Sequence, residues 1–86
     1  MRRPLLVRHA RYRWDEIRQQ HQLVFPEGIL ILNESGAAIV RLCDGRPVDE
    51  LLAALTEQLG HHVPAEEVRE FLQRLAQKGL LRDVDS

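Results

Sequence analysis

The sequence predicts an α+β domain in which three short strands precede three helices, and three observations predict it. His9–Trp14 and His21–Phe25 alternate side chains with the period of two of a half-buried strand; apolar residues after Ser35 recur at helical spacing; glycine or proline marks most changes of period. The chain has 86 residues and a mass of 10.0 kDa, room for a single domain over residues 1–86, since ordinary domains run to about 100–150 residues. Hydrophobic residues are 44% and charged residues 29% of the chain, too apolar for a disordered tail. Barrels and dinucleotide-binding sheets are excluded by length.

In the first strand, Ala10, Tyr12 and Trp14 form the core-facing row and His9, Arg11 and Arg13 the wet one. The polar stretch Asp15–Gln20 is a loose loop, after which Leu23 and Phe25 face one way and Gln22 and Val24 the other. Phe25-Pro26-Glu27-Gly28 suits a type I turn, with proline at its second position and glycine at its fourth. A third strand follows at Ile29-Leu30-Ile31-Leu32, apolar on both faces. Asn33 and Ser35 are acceptable caps for a first helix over Glu34–Cys43, in which Ile39, Leu42 and Cys43 recur at i, i+3 and i+4 and which Asp44-Gly45 stops. Val48, Leu51, Leu52, Leu55 and Leu59 make the stripe of a second helix, with Asp49 and Glu50 in its first turn and Gly60 at its end. Pro64 opens a third helix whose inward face is Val68, Phe71, Leu72 and Leu75; Lys78-Gly79 closes it, and Leu80 and Leu81 pack back. The order βββααα, a small antiparallel three-stranded sheet with a three-helix bundle, is winged-helix-like in outline.

Twelve basic and thirteen acidic residues give a net charge of −1, which does not favour binding through phosphate neutralisation. The charge is bipolar: residues 1–20 hold six arginines against Asp15 and Glu16, a net of +4, and the remainder has a net of −5. Cys43 is the single cysteine, so no intrachain disulfide forms. No leader and no run of 18 apolar residues is visible. A cytoplasmic protein without membrane attachment is expected.

For catalysis, a cysteine nucleophile needs an electropositive, partly exposed setting, whereas Cys43 lies on an apolar helical stripe and reads as core. His61 and His62 are adjacent and diverge, and a symmetric hairpin places His21 across from Trp14 and far from His9, so no metal and no cofactor is expected. A winged helix can read DNA through a helix in the major groove, but the second helix carries Asp49, Glu50 and Glu57 with no basic residue, and the third balances Arg69, Arg74 and Lys78 against Glu66, Glu67 and Glu70. Nucleic acid is not an expected partner, and a winged-helix DNA-binding module stands only as the alternative. The informative feature is Ile29–Leu32. Proteins usually blunt an apolar edge strand, so this uninterrupted run is either central and covered or built to accept another strand.

Arg11-Tyr12-Arg13-Trp14-Asp15, Leu23-Val24-Phe25-Pro26-Glu27-Gly28, Leu32-Asn33-Glu34-Ser35-Gly36-Ala37-Ala38-Ile39 and Leu42-Cys43-Asp44-Gly45, in this order, resemble the PqqD family of pyrroloquinoline quinone biosynthesis. The resemblance runs over about residues 4 to 82 and departs at Pro47, where the family often has a threonine cap. It implies a peptide chaperone without enzymatic activity, a RiPP recognition element that binds the ribosomal precursor peptide PqqA and presents it to the radical SAM enzyme PqqE. It also leaves open a related domain that binds the leader of another peptide-maturation pathway. Related domains bind the leader as an added strand beside the third strand and against the third helix, which agrees with the edge argument. The expected peptide-binding residues are Ile29, Leu30, Ile31, Leu32, Phe71, Leu72 and Leu75. The same open edge predicts a homodimer of the free chain, either by edge pairing with a second copy or by exchange of the hairpin through the Asp15–Gln20 loop or the Pro26–Gly28 turn.

Overall fold

The computed structural model describes residues 1–85. Its elements are β1 (Pro4–Leu6), β2 (Arg11–Asp15), β3 (Gln20–Phe25), β4 (Gly28–Leu32), α1 (Glu34–Arg41), α2 (Val48–Leu59), α3 (Ala65–Gln77) and β5 (Leu81–Asp83). Strands β2, β3 and β4 form an antiparallel sheet in that order, and β1 pairs with β5 in a second, two-stranded sheet. The fold is α+β, with the three-stranded sheet and three helices that the residue pattern predicts.

The hairpin registers follow from the turns. Pro26 and Glu27 connect β3 to β4, with Phe25 paired to Gly28. Across β2 and β3, Trp14 is paired to His21, and their rings meet edge to face with centroids 4.9 Å apart. Tyr12 is on the same face, its hydroxyl 2.7 Å from His21 Nδ1.

Three expectations about the sheets are corrected, and one strand pairing is new. The first long strand starts at Arg11, not His9, and runs to Asp15. Trp14, placed by alternation on the core row, is 41% exposed; it packs on His21 near the end of the strand. Asp15, read as loop, is buried because four donors converge on its carboxylate: the backbone N–H of Ile17 and Arg18, Arg18 Nη1 and Gln22 Nε2, at 3.0–3.2 Å. These bonds, that of the Arg18 N–H foremost, outweigh desolvation and hold the Asp15 carboxyl below the ordinary carboxylate range. The pair β1–β5 was not anticipated. It ties the two ends of the chain together, with Asp83 accepting from the backbone N–H groups of Arg2 and Arg3.

The helices end where local chemistry ends them. The Asn33 side chain accepts from the Gly36 N–H at 2.7 Å and caps α1, which stops at Arg41, two residues before the expected Cys43. Gly60, left-handed at φ 74°, terminates α2. Pro64 precedes the first residue of α3 without a side-chain cap. One continuous core joins Leu23 and Leu32 of the sheet, Ala37–Val40 of α1, Leu51 and Leu55 of α2, Val68, Leu72 and Leu75 of α3, and Leu80 and Leu81. The small residues Gly36, Ala37 and Ala38 are all buried and let α1 approach the sheet closely. Cys43 lies in this core, where burial pushes its thiol up to about 12, so it stays protonated and inert at neutral pH.

Candidate functional site

Strand β4 is hydrogen-bonded to β3 on one side and is the last strand of its sheet on the other. Counted from the closing pair Phe25–Gly28, alternate residues of an antiparallel ladder turn their N–H and C=O away from the partner strand. This leaves those of Ile29 and Ile31 on the open edge. No proline interrupts the run and no lysine guards it.

Beside that edge a groove of about 530 Å3 opens between β4 and α3. Leu30, Ile31 and Leu32 form one wall, and Val68, Phe71 and Leu75 the other. The start of α1 contributes Asn33, Ser35, Gly36 and Ile39, and Val63 lies ahead of α3. The rim along α3 is built from Glu67, Phe71, Arg74 and Lys78, residues at i, i+4, i+7 and i+11 that share one helix face. The groove is therefore apolar along its length, with a carboxylate toward the start of α3 and two cations toward its end. The Arg74 guanidinium carbon lies 5.9 Å from the Phe71 ring centroid, a cation–π contact that draws the cation over the half-buried ring.

Of the seven residues expected here, Leu30, Ile31, Leu32, Phe71 and Leu75 line the groove. Leu72 is 2% exposed and belongs to the core, and the Ile29 and Ile31 side chains stand on the opposite face of the sheet, Ile31 meeting the groove only at the strand edge. Asn33, Ser35, Gly36, Ile39, Val63, Glu67, Val68, Arg74 and Lys78 are lining residues that the expected set lacked; the i, i+4, i+7, i+11 spacing through Phe71 was the available signal for Glu67, Arg74 and Lys78. Among the described residues no group of three or more His, Cys, Asp or Glu side chains could hold a metal ion. No helix of the described residues is long and apolar enough to cross a membrane.

The family model of Coenzyme PQQ synthesis protein D (PqqD) matches residues 20–81. The chain belongs to the PqqD family. It is 38% identical over 89 residues to the PqqA binding protein of Rhodopseudomonas palustris (strain TIE-1), covering 94% of this chain and 82% of that one. To the PqqA binding protein of Azotobacter vinelandii it is 40% identical over 72 residues, covering 81% and 78%. Among solved structures it resembles the PqqD truncation of Methylobacterium extorquens PqqCD, determined by solution NMR and described as a functional, stand-alone RiPP recognition element. The TM-score is 0.69 at 33% identity, over 93% of this chain and 88% of that one. The match to PqqD spans β3, β4 and all three helices, so both walls of the groove lie inside it.

Proposed function

We propose that this chain is a peptide chaperone of pyrroloquinoline quinone biosynthesis: it binds the precursor peptide PqqA by strand addition to β4 and presents it to the radical SAM enzyme PqqE. It acts as a binding module and not as an enzyme, in the cytoplasm. The observation that carries this reading is the open edge of β4 beside an apolar groove. Main-chain hydrogen bonds to an added strand supply affinity that is indifferent to sequence, and the groove supplies side-chain selection. The names of the relatives, which bind PqqA, support the choice of peptide.

The groove also sets the chemistry of the segment it takes. From Glu67 to Lys78 the rim of α3 spans about 16 Å at the helical rise, the length of about five extended residues. Alternate side chains of an added strand enter the groove, so the segment carries apolar residues two apart. Arg74 and Lys78 favour an acidic residue at their end and Glu67 disfavours one at the other, which orients the peptide. The test is amide chemical-shift mapping during titration with PqqA. The expected result is perturbation of Ile29–Leu32 and Phe71–Leu75. Shifts confined to the Arg8–Arg18 hairpin, with those two segments silent, would place the peptide elsewhere.

A further inference from the structure

The sheet β2–β3–β4 has two faces; the core lies against one of them, and the groove opens at the β4 edge, where it reaches Ile31. The register sets Arg11, Val24 and Ile29 in one row and Arg13, Gln22 and Ile31 in the next, on the face opposite Leu23, Leu30 and Leu32. On this outer face Ile29 and Ile31 are 55% and 64% exposed. Arg11 and Arg13 are exposed too, and neither forms a salt bridge among the described residues. Between Arg13 and Ile31, Gln22 is buried, held by its Nε2 donating to Asp15 Oδ2 and Gln20 Oε1, while its Oε1 has no hydrogen-bond partner among the described residues. The sheet thus presents two unpaired cations beside a row of aliphatic side chains, over a network anchored by the buried Asp15.

We propose that this outer face is a second docking surface, for an acidic and partly apolar patch on the enzyme that receives the peptide. Arg11 and Arg13 lie two residues apart on one strand, about 7 Å along it, and suit a pair of carboxylates flanking an apolar side chain that seats against Ile29 and Ile31. Arginine is enriched at protein–protein interfaces, whose buried core is more apolar than the rest of the surface. A polynucleotide gains nothing from a row of isoleucines, and two arginines are fewer than the cluster of about four to eight that holds a protein to an anionic lipid surface. Because β4 contributes its backbone edge to the peptide and its outer side chains to the enzyme, the peptide is held at the border of the two proteins and reaches the active site without release.

This inference rests on the presentation step proposed above, and its test separates the two. Affinities of the full chain for PqqE and for PqqA are measured by calorimetry at two salt concentrations, for the wild type, Arg11→Glu/Arg13→Glu and Ile31→Thr, with amide spectra verifying that each variant is folded. The expected result is a loss of enzyme affinity of about tenfold or more in the charge-reversed variant, with its salt dependence abolished, a smaller loss for Ile31→Thr, and peptide affinity within about twofold of wild type in the charge-reversed variant. Enzyme affinity unchanged in folded variants overturns the proposal. So does an equal loss of peptide affinity in the charge-reversed variant, absence of enzyme binding by the wild type, or wild-type binding to duplex DNA or anionic vesicles that the charge reversal abolishes while enzyme binding persists. A wild-type chain that binds enzyme as expected but fails to bind PqqA overturns strand addition and leaves this surface standing.

Discussion

Gly36 and Phe71 meet where α1 borders the groove: a methyl group at position 36 would stand 3.4 Å from Phe71 Cζ and 3.0 Å from the Asn33 Oδ1 that caps the helix. The backbone of Gly36 is ordinary helix, so what the glycine provides is space, chiefly beside the Asn33 oxygen, and not an unusual φ. One missing carbon leaves room at once for the cap and for the aromatic ring that forms the groove wall.

Gly36→Ala separates stability from binding. Alanine gains up to about 1 kcal/mol of helix propensity over glycine in a helix interior, less in a first turn, and crowding the Asn33 oxygen forfeits part of a cap worth about 1 kcal/mol. The net change in unfolding free energy is expected to stay within about 1 kcal/mol. Peptide affinity is expected to fall, by up to about tenfold, the scale of a methyl-sized misfit in an apolar pocket, because the added methyl narrows the groove beside Phe71. Urea unfolding and calorimetry on the same variant check both; an unchanged affinity would mean that the peptide does not touch this wall.

Phe71 and Leu72 are neighbours in the sequence with different duties. Leu72 is buried in the core and absent from the groove, so Leu72→Ala is expected to cost about 2–5 kcal/mol of stability and to leave the affinity of the folded fraction near wild type. Phe71 is half-buried on the groove wall; Phe71→Ala is expected to cost less stability and at least about tenfold in peptide affinity, as for an aromatic anchor. The opposite ranking would move the site off α3.

The sequence could not separate those two residues, because both fall within the apolar stripe of α3 and periodicity alone does not say which neighbour a stripe residue meets. Elements with long periods or firm stops were legible: the Trp14–His21 register and the Gly60 stop follow from local chemistry, whereas the Asn33 cap was one of two candidates beside Ser35 and the edge position of β4 one of two readings of Ile29–Leu32. Strands β1 and β5 were not, since three residues hold too little alternation to read and their pairing joins Pro4 to Asp83 at opposite ends of the chain. Asp15 was misread for a related reason. An aspartate after a strand resembles a loop residue, and only the fold brings Gln22 and the turn N–H groups onto it.

Asp44 gives the fold a pH-dependent element. The Arg46 side chain donates to both carboxylate oxygens, at 3.0 and 2.8 Å, and lowers the Asp44 carboxyl to about 2. A carboxylate depressed in the folded state stabilises it above the unfolded value of about 3.9, and that contribution is lost as the pH falls toward 2. The Asp44 side chain is 52% exposed, so solvent screening reduces the contribution to about 1 kcal/mol or less. Asp44→Asn is therefore expected to be less stable than wild type by about 0.5–1 kcal/mol at pH 6, with the gap closing between pH 4 and pH 2. Urea titrations of both proteins across that range check it; a gap that persists undiminished at pH 2 would assign the stabilisation to something other than the charge.

The open edge of β4 predicts competition between peptide and self-association. Backbone groups at Ile29 and Ile31 that can pair with an added strand can also pair with β4 of a second copy, and the exposed isoleucines make that contact apolar. A β4–β4 contact about a twofold axis is self-complementary and closes as a dimer without leading to fibres. The free chain is expected to show a concentration-dependent dimer, either by edge pairing or by exchange of a hairpin, and PqqA to return it to the monomer by occupying the same backbone groups. A PqqA analogue N-methylated at alternate residues of the pairing segment loses the donors that face β4 and is expected to leave the dimer intact. Light scattering over a concentration series, with the free chain, with PqqA and with the methylated analogue, decides the point. A strict monomer at high concentration, or a dimer equally indifferent to both peptides, would show that the β4 edge is closed to a second strand.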